Sequence, residues 1–524
     1  MPMIVKNIVK ENRYYDSATL MLLTSKIGKQ LVSTKNVAVM MATDMNKDLM
    51  EASKLLTDDG RAAGANDLVF AIRAESEEAV DKVLEMATEE LNKKAAHMKK
   101  ESSDVVKTVE EAISQCPDAS IAVVSLPGKF AAREVKKLLM ADRHVLLFSD
   151  NVTLEEEKNL KDLALERGLL MMGPDCGTAV INGVGLGFAN QVKRGNIGIV
   201  AASGTGLQEV MCQISNRGGG ISQAFGTGGR DVKEAIGGRM MLSCLELLEN
   251  DDHTDVIVIV SKPPAPSVLD KIASYLRGRN KTVVACFLGS EKKEEADVPW
   301  LEAATLEEAA RMALQLSGTG DSTSHEPDPE IVSSMAAQKN LLQPQQKYIR
   351  GLYCGGTLAY EAMLMIREHT KKVYSNIAMT EDEKIGGAQN SREHTILDLG
   401  DDEFTVGKPH PMIEPSLREE RLLMEAADPE TALILTDVEI GYGSNENPAA
   451  VLAEEVAKAQ KMLQEQNRHV IFAAAICGTY EDFQNYDAQK QILEKQGILV
   501  AESNAQAVKL ALSAVISEEK EKRV

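Results

Sequence analysis

Residues 203–206, Ser-Gly-Thr-Gly, stand between the apolar run GIVAA and the amphipathic stretch LQEVMCQI. Small residues at a strand-to-helix turn let backbone N–H groups approach a ligand closely, and a helix N-terminus favours an anion there. The chemistry this points to is capture of a phosphate or a carboxylate by Ser203, Gly204, Thr205 and Gly206. A second turn, Gly355-Gly356-Thr357, follows the strand pattern YIRGLY, and both turns carry a Glu five residues beyond a glycine, in GTGLQE from Gly204 and GTLAYE from Gly356. The alternative is that these glycines only permit tight turns and close helix packing.

Other segments add candidates. FGTGGRD (225–231) offers Gly226, Gly228, Gly229 and Arg230, whose guanidinium suits bidentate binding of an oxyanion. MGPDCGTAV sets Asp175 and Cys176 in a turn, where Cys176 is either a nucleophile or an inert buried thiol. His410, held between two prolines, and the nearby Lys408 are the basic candidates of the C-terminal third. Asp398, Asp401, Asp402 and Glu403 form an acidic loop that is either a metal ligand set or simply solvated. Asp437 and Gly441, in DVEIGYGSNENP, are expected to wall the site.

Positioning these turns requires α/β elements. Residues 1–95 alternate three short strands with helices and read as a small α+β module; residues 96–193 read as a truncated Rossmann-like, CoA-binding-type domain. Residues 194–317 and 347–518 read as two duplicated flavodoxin-like domains with parallel sheets, joined by a Ser-, Gly- and Pro-containing linker over 318–346. The duplication rests on ordered matches: DVIVIVSKPPAP with ALILTDVEIGYG, NKTVVACFLG with RHVIFAAAICG, and ATLEEAARMALQL with SNAQAVKLALSA. Two such domains facing each other would aim two helix N-termini at one anion, so the two turns are expected within about 15 Å of each other, since the contacts of a single anion are short.

Composition narrows the ligand. A net charge of -21 and 4% aromatic residues, with Trp300 alone of its type, argue against a nucleic-acid partner. Seven scattered cysteines without a C-x-x-C pair fit a reducing, cytoplasmic setting and give no metal site. No apolar run reaches membrane-spanning length, so no membrane partner is expected.

GPDCGTAVINGVG, GIVAASGTGLQEV and FGTGGRD resemble turns of the succinyl-CoA synthetase α subunit, and LYCGGT resembles the Gly-Gly turn of its β subunit. Together with SKPPAP and DLGDDEFTVGKPHPMIEP, the whole chain resembles the FdrA family of acyl-CoA-synthetase-like proteins. The resemblance implies that Ser203, Gly204 and Thr205 form one phosphate-binding turn, with Gly355 and Gly356 forming the other. The chain also departs from the synthetases. No histidine follows KTVVACFLG, Lys262 stands where a supporting glutamate is expected, the Gly-rich loop of the CoA-binding domain is missing, and no ATP-grasp domain is visible.

The resemblance therefore implies transfer from a ready-made acyl phosphate, namely oxamate carbamoyltransferase activity: carbamoyl phosphate and oxamate exchanging with oxalurate and phosphate in allantoin and purine catabolism. Further subunits of the same enzyme and an oligomeric assembly are expected. Arg230 or Lys262 would hold the oxamate carboxylate, with Asp175 and His410 as candidate bases. The alternatives are an acyl-CoA synthetase that binds CoA and relies on a partner for the nucleotide, and a non-catalytic metabolite-binding subunit. CoA is the one cofactor in view.

Overall fold

The computed structural model describes residues 3–13, 15, 17–30, 34–101, 106–290, 298–323, 327–386, 390–405 and 409–515. The chain divides into two units, Met1–Lys107 with Asp402–Ser416, and Thr108–Asp401 with Leu417–Val524.

In the first unit the order is β1 (Ile4–Lys10), α1 (Ser17–Gln30), β2 (Thr34–Met41), α2 (Asp44–Ala52), α3 (Asp58–Ala62), β3 (Leu68–Ala74) and α4 (Glu77–Glu101). The strands form an antiparallel sheet in the order β1-β3-β2. The alternating side chains of β3 serve two cores. Phe70 and Ile72 pack with Leu20, Ile27 and Val83 on one face, while Val69 and Ala71 pack with Met50 and Leu55 on the other. Three strands alternate with helices, as the pattern of residues 1–95 implies, and α4 continues to Glu101.

The second unit opens with α5 (Val109–Gln115), β4 (Ile121–Val124), α6 (Gly128–Met140), β5 (His144–Leu147), α7 (Leu154–Glu166) and β6 (Met171–Met172). Its parallel sheet, β4-β5-β6, is one half of a Rossmann fold. The start of α7 is set by a capping box in which Thr153 and Glu156 satisfy each other's backbone N–H. The hairpin β7 (Thr178–Ile181) and β8 (Val184–Gly187) follows MGPDCG and leaves this sheet to join the next one.

The first copy comprises β9 (Arg194–Ala201), α8 (Gly204–Asn216), β10 (Ile221–Gly226), α9 (Arg239–Asn250), β11 (Val256–Ser261), α10 (Pro266–Leu276), β12 (Thr282–Phe287), β13 (Leu301–Glu302) and α11 (Leu306–Ser317). Within 318–346 lies a helix, α12 (Pro329–Lys339), whose Met335 is buried. The second copy comprises β14 (Tyr348–Tyr353), α13 (Gly356–His369), β15 (Thr395–Asp398), α15 (Ser416–Ala427), β16 (Thr431–Glu439), α16 (Pro448–Glu465), β17 (Ile471–Cys477), α17 (Tyr486–Lys495), β18 (Leu499–Ala501) and α18 (Asn504–Val515). The short α14 (Asp402–Thr405) lies between β15 and α15 and belongs to the other unit.

Numbered from its own first strand, each copy has the parallel order 2-1-3-4-5, read in β10-β9-β11-β12-β13 and in β15-β14-β16-β17-β18. That is the flavodoxin-like order expected from the duplicated segments, with a switch point beside the first strand of each sheet. The strands are apolar on both faces, as in the fully buried VIVIVS of β11, because helices cover both sides. Between the sheets, Leu207, Met211, Leu306, Ala310, Leu358, Ala362, Val508 and Ala511 from α8, α11, α13 and α18 share one core.

Candidate functional site

The two Gly turns meet. Ser203 caps its own helix by accepting from Gly206 N at 3.0 Å, and its hydroxyl lies 2.6 Å from that of Thr357. Thr357 N donates in turn to Thr205 Oγ1 at 3.2 Å, so each copy supplies a hydroxyl to the N-terminus of the other. Both helices start where the first strand of their sheet ends, so the crevice lies at the carboxyl edges of both switch points. Among the described residues the amides of Gly204, Thr205 and Gly356 have no acceptor, and two helix dipoles add positive potential there.

Negative groups occupy the rest of the second turn. Asp437 accepts from Cys354 N at 2.8 Å and Gly355 N at 2.7 Å, so it completes the turn from within. Burial and the Asp437 charge push Glu439 well above the usual carboxylate range. At 356 a Cβ would lie 2.4 Å from Asp398 Oδ2, so any larger residue there must displace that carboxylate. Burial raises Asp398 to about 7, with Lys262 opposing the shift, and burial lowers the Lys262 amine, which lies 4.7 Å from the centre of the Tyr360 ring.

Cys354, Asp437 and Glu439 bring ligand-type atoms within 4.8 Å of one another. Their chemistry does not suit a metal ion. Burial raises the Cys354 thiol, both Asp437 oxygens are committed to amides, and Arg418 already supplies the positive charge, 3.6 Å from Cys354 Sγ and 3.0 Å from the Asp437 carbonyl.

The other sequence candidates lie elsewhere. Arg230 pairs with Glu157 Oε2 at 2.8 Å and donates to the Val152 carbonyl, so it docks the Rossmann half on the first copy. Gly226 and Gly228 admit the 173–178 segment: added Cβ atoms would meet Thr178 O at 2.5 Å and Pro174 O at 2.3 Å. Gly229, by contrast, stands beside the first Gly turn, where a Cβ would lie 3.9 Å from Ala202 O. Gly441, at φ +116°, makes room for Ala189 O and the Asn190 side chain, whose amide nitrogen donates to Ile440 O and Asp482. It serves contact between the second copy and the segment that precedes β9. Asp175 is exposed on its turn, whereas Cys176 is 2% exposed and burial pushes its thiol up to about 12, the reverse of an activated nucleophile. His410 belongs to the Asp402–Ser416 segment of the first unit, where its Nδ1 accepts from Met412 N; Lys408 lies outside the described residues. Alkylation of the folded chain is accordingly expected to label Cys116, the exposed thiol, and to leave Cys176 unmodified until denaturant is added. Mass spectrometry of the labelled peptides checks this.

The paired glutamates prove structural. Glu361 accepts from Leu306 N at 2.8 Å, at the start of α11, and from the Asn504 side chain at 2.7 Å. Glu209 accepts from Asn504 N at 3.4 Å, at the start of α18, so the first helix of each copy caps the last helix of the other. Both are buried, and burial lifts Glu209 to about 8 and Glu361 to about 7. Their shared offset from a glycine was the sequence signal for this role.

Three family models match the chain: one described as CoA-ligase over residues 352–514, one as CoA binding domain over 192–289, and one as AllF, heavy metal-associated domain, over 3–107. The last span contains no cysteine and a single histidine, His97, so it lacks the thiolates a soft metal ion prefers. No helix among the described residues is long and apolar enough to cross a membrane. The succinate–CoA ligase [ADP-forming] subunit alpha 1 of Archaeoglobus fulgidus is 26% identical over 189 residues, 35% of this chain and 63% of that one. A dinucleotide-forming acetyl-coenzyme A synthetase structure from Ca. Korarchaeum cryptofilum covers 77% of this chain and 84% of its own, at 17% identity and a TM-score of 0.31. The Escherichia coli (strain K12) protein named "Uncharacterized protein YahF" is 43% identical over 513 residues, 97% of this chain and 98% of its own. The chain therefore belongs to the same family as YahF, an acyl-CoA-synthetase-like family with CoA-binding and CoA-ligase domains.

Proposed function

We propose that the crevice transfers a small acyl group between a phosphate and an acceptor, and that the acceptor is CoA, with a partner protein supplying nucleotide chemistry where it is needed. The observation that carries this reading is the contact of the α8 and α13 N-termini through Ser203, Thr205 and Thr357, beside the uncommitted amides of Gly204, Thr205 and Gly356. In this reading the acceptor attacks the acyl carbon, the carbon–oxygen bond to phosphate breaks, and the charge growing on the leaving phosphate falls on those amides and both helix dipoles. Loss of one such preorganised donor typically costs about 10²–10³ in kcat.

A second reading, carbamoyl transfer from carbamoyl phosphate to oxamate, is favoured by one observation. Residues 289–300 contain no histidine, and Lys262 follows the strand where a phosphohistidine relay would need a carboxylate. A site without that relay suits a donor that arrives already activated.

The test is calorimetric titration of the whole chain with phosphate, acetyl phosphate and carbamoyl phosphate, beside Gly204→Val. A Cβ at Gly204 meets nothing nearer than Thr178 Oγ1 at 3.9 Å, so the substitution starts into open space. Phosphate-bearing ligands are expected to bind wild type and to lose at least about tenfold in affinity, 1.4 kcal/mol, in the variant. Equal binding by both proteins, or no binding by either, overturns the phosphate site. Acyl-CoA formed from acetyl phosphate and CoA then supports the first reading, and oxalurate formed from oxamate and carbamoyl phosphate supports the second.

A further inference from the structure

Two opposite charges flank the first turn of α13 without touching. Asp398, at the end of β15, is 8% exposed, and its Oδ1 accepts from Gly400 N at 3.0 Å. Among the described residues its Oδ2 has no donor, and it lies against Gly356, whose amide has no acceptor there. Lys262, directly after β11, lies over Tyr360, one helical turn further along α13. Lys262 and Asp398 feel each other's charge, yet no salt bridge joins them. A partly buried amine without a carboxylate partner among the described residues, and a donorless oxygen of the buried Asp398, stand on either side of free amides and suit a ligand that satisfies both.

We propose that Lys262 and Asp398 form a clamp that binds a small tetrahedral dianion together with one proton. The amine neutralises one oxygen of the anion, and the protonated Asp398 carboxyl donates to another. This rests on the phosphate-site reading above and deepens it. For the transfer reaction it makes Asp398 the relay of the proton that moves: the carboxyl hands its proton to the departing phosphate as the carbon–oxygen bond breaks, and the carboxylate so formed takes the proton released by the attacking thiol or amide N–H as the acceptor–carbon bond forms. Besides Lys262, the charges facing Asp398 are Asp401 in its own turn and Asp437 on β16, both of which favour the protonated form. Lys262 faces Asp398, Asp401 and Lys233.

Sulfate is the probe, because its charge is constant over the range used whereas phosphate itself titrates. Calorimetry of the whole chain at pH 7.5, in buffers of different ionisation enthalpy, reads the protons taken up per sulfate bound. Wild type is expected to take up about 0.5–1 proton, with affinity falling by up to about tenfold per pH unit above pH 7. Asp398→Asn should bind sulfate as well or better with uptake near zero, and Lys262→Met should lose at least about tenfold in affinity at every pH. Sulfate bound by wild type without proton uptake, or with uptake unchanged in Asp398→Asn, overturns the clamp and leaves the phosphate site standing. Equal affinity in Lys262→Met overturns the role of the amine. Failure of wild type to bind sulfate, phosphate or acyl phosphate overturns both the clamp and the reading beneath it. If Asp398→Asn does not fold, the pH dependence of wild-type binding decides, because an affinity that is flat from pH 6 to 8.5 refutes proton-coupled uptake.

Discussion

Lys161→Met is expected to destabilise the second unit by about 3–5 kcal/mol, read as a lower urea midpoint with an unchanged slope. Lys161, Glu157 and Asp231 have fully buried side chains, with the amine 2.9 Å from each carboxylate and 3.1 Å from the Thr227 carbonyl. Asp231 also accepts from Met240 N and Met241 N at the start of α9. Removing the amine would leave Asp231 buried with only amide donors and Glu157 with only the half-exposed Arg230. The large effect comes from this uncompensated burial and is no measure of what the intact network contributes. A variant that also carries Glu157→Gln and Asp231→Asn should therefore recover part of the loss. If Lys161→Met alone costs under 1 kcal/mol, the triad is not the clamp between the Rossmann half and the first copy.

Raising the pH from 6 to 8.5 is expected to weaken the same unit, and Glu209→Gln with Glu361→Gln should flatten that dependence. Both carboxyls titrate higher in the folded chain, at about 8 and about 7, than their ordinary value of 4.5. Between these limits the folded state holds protons that the unfolded state has released, so stability falls as pH rises, by about 1.4 kcal/mol per pH unit for each group, until the folded-state value is passed. Glutamine keeps an oxygen to accept from Leu306 N and Asn504 N while removing the charge. Thermal melts at pH 6, 7, 8 and 8.5 read the result; a steeper fall in the double variant would refute the assignment.

The fold was legible because each copy repeats the same apolar strands and glycine turns in the same order, and a 2-1-3-4-5 sheet must put those turns at its carboxyl edge. For the same reason the meeting of Ser203 with Thr357 could be anticipated from the helix starts alone. Local composition misled where a loop serves packing between domains. Arg230, Gly226, Gly228 and Gly441 carry the residue types of an anion site, yet their glycines admit neighbouring backbone and the arginine answers Glu157, a residue 73 positions away. Asp398 could be read only as part of an acidic run, because what distinguishes it from Asp401 is burial against Gly356. Arg418 and Glu439 left no trace in sequence, since their partners lie on other elements and follow no periodic spacing. The β7–β8 hairpin reads as the end of the Rossmann half and pairs with β10 because its apolar strand completes an open edge of the larger sheet.

The reciprocal glutamate caps make the two copies an obligate pair carried on one chain. Each last helix keeps a hydroxyl cap from its own copy, Thr305 on Glu308 N and Ser503 on Gln506 N, but each would lose its glutamate acceptor and expose the apolar flank of its first helix if separated. The segment between residues 317 and 347 then acts mainly by keeping the local concentration of one copy around the other high. Selection consequently acts on the two copies jointly, since a substitution that tilts α8 disturbs α18 of the other copy before it reaches the end of its own sheet.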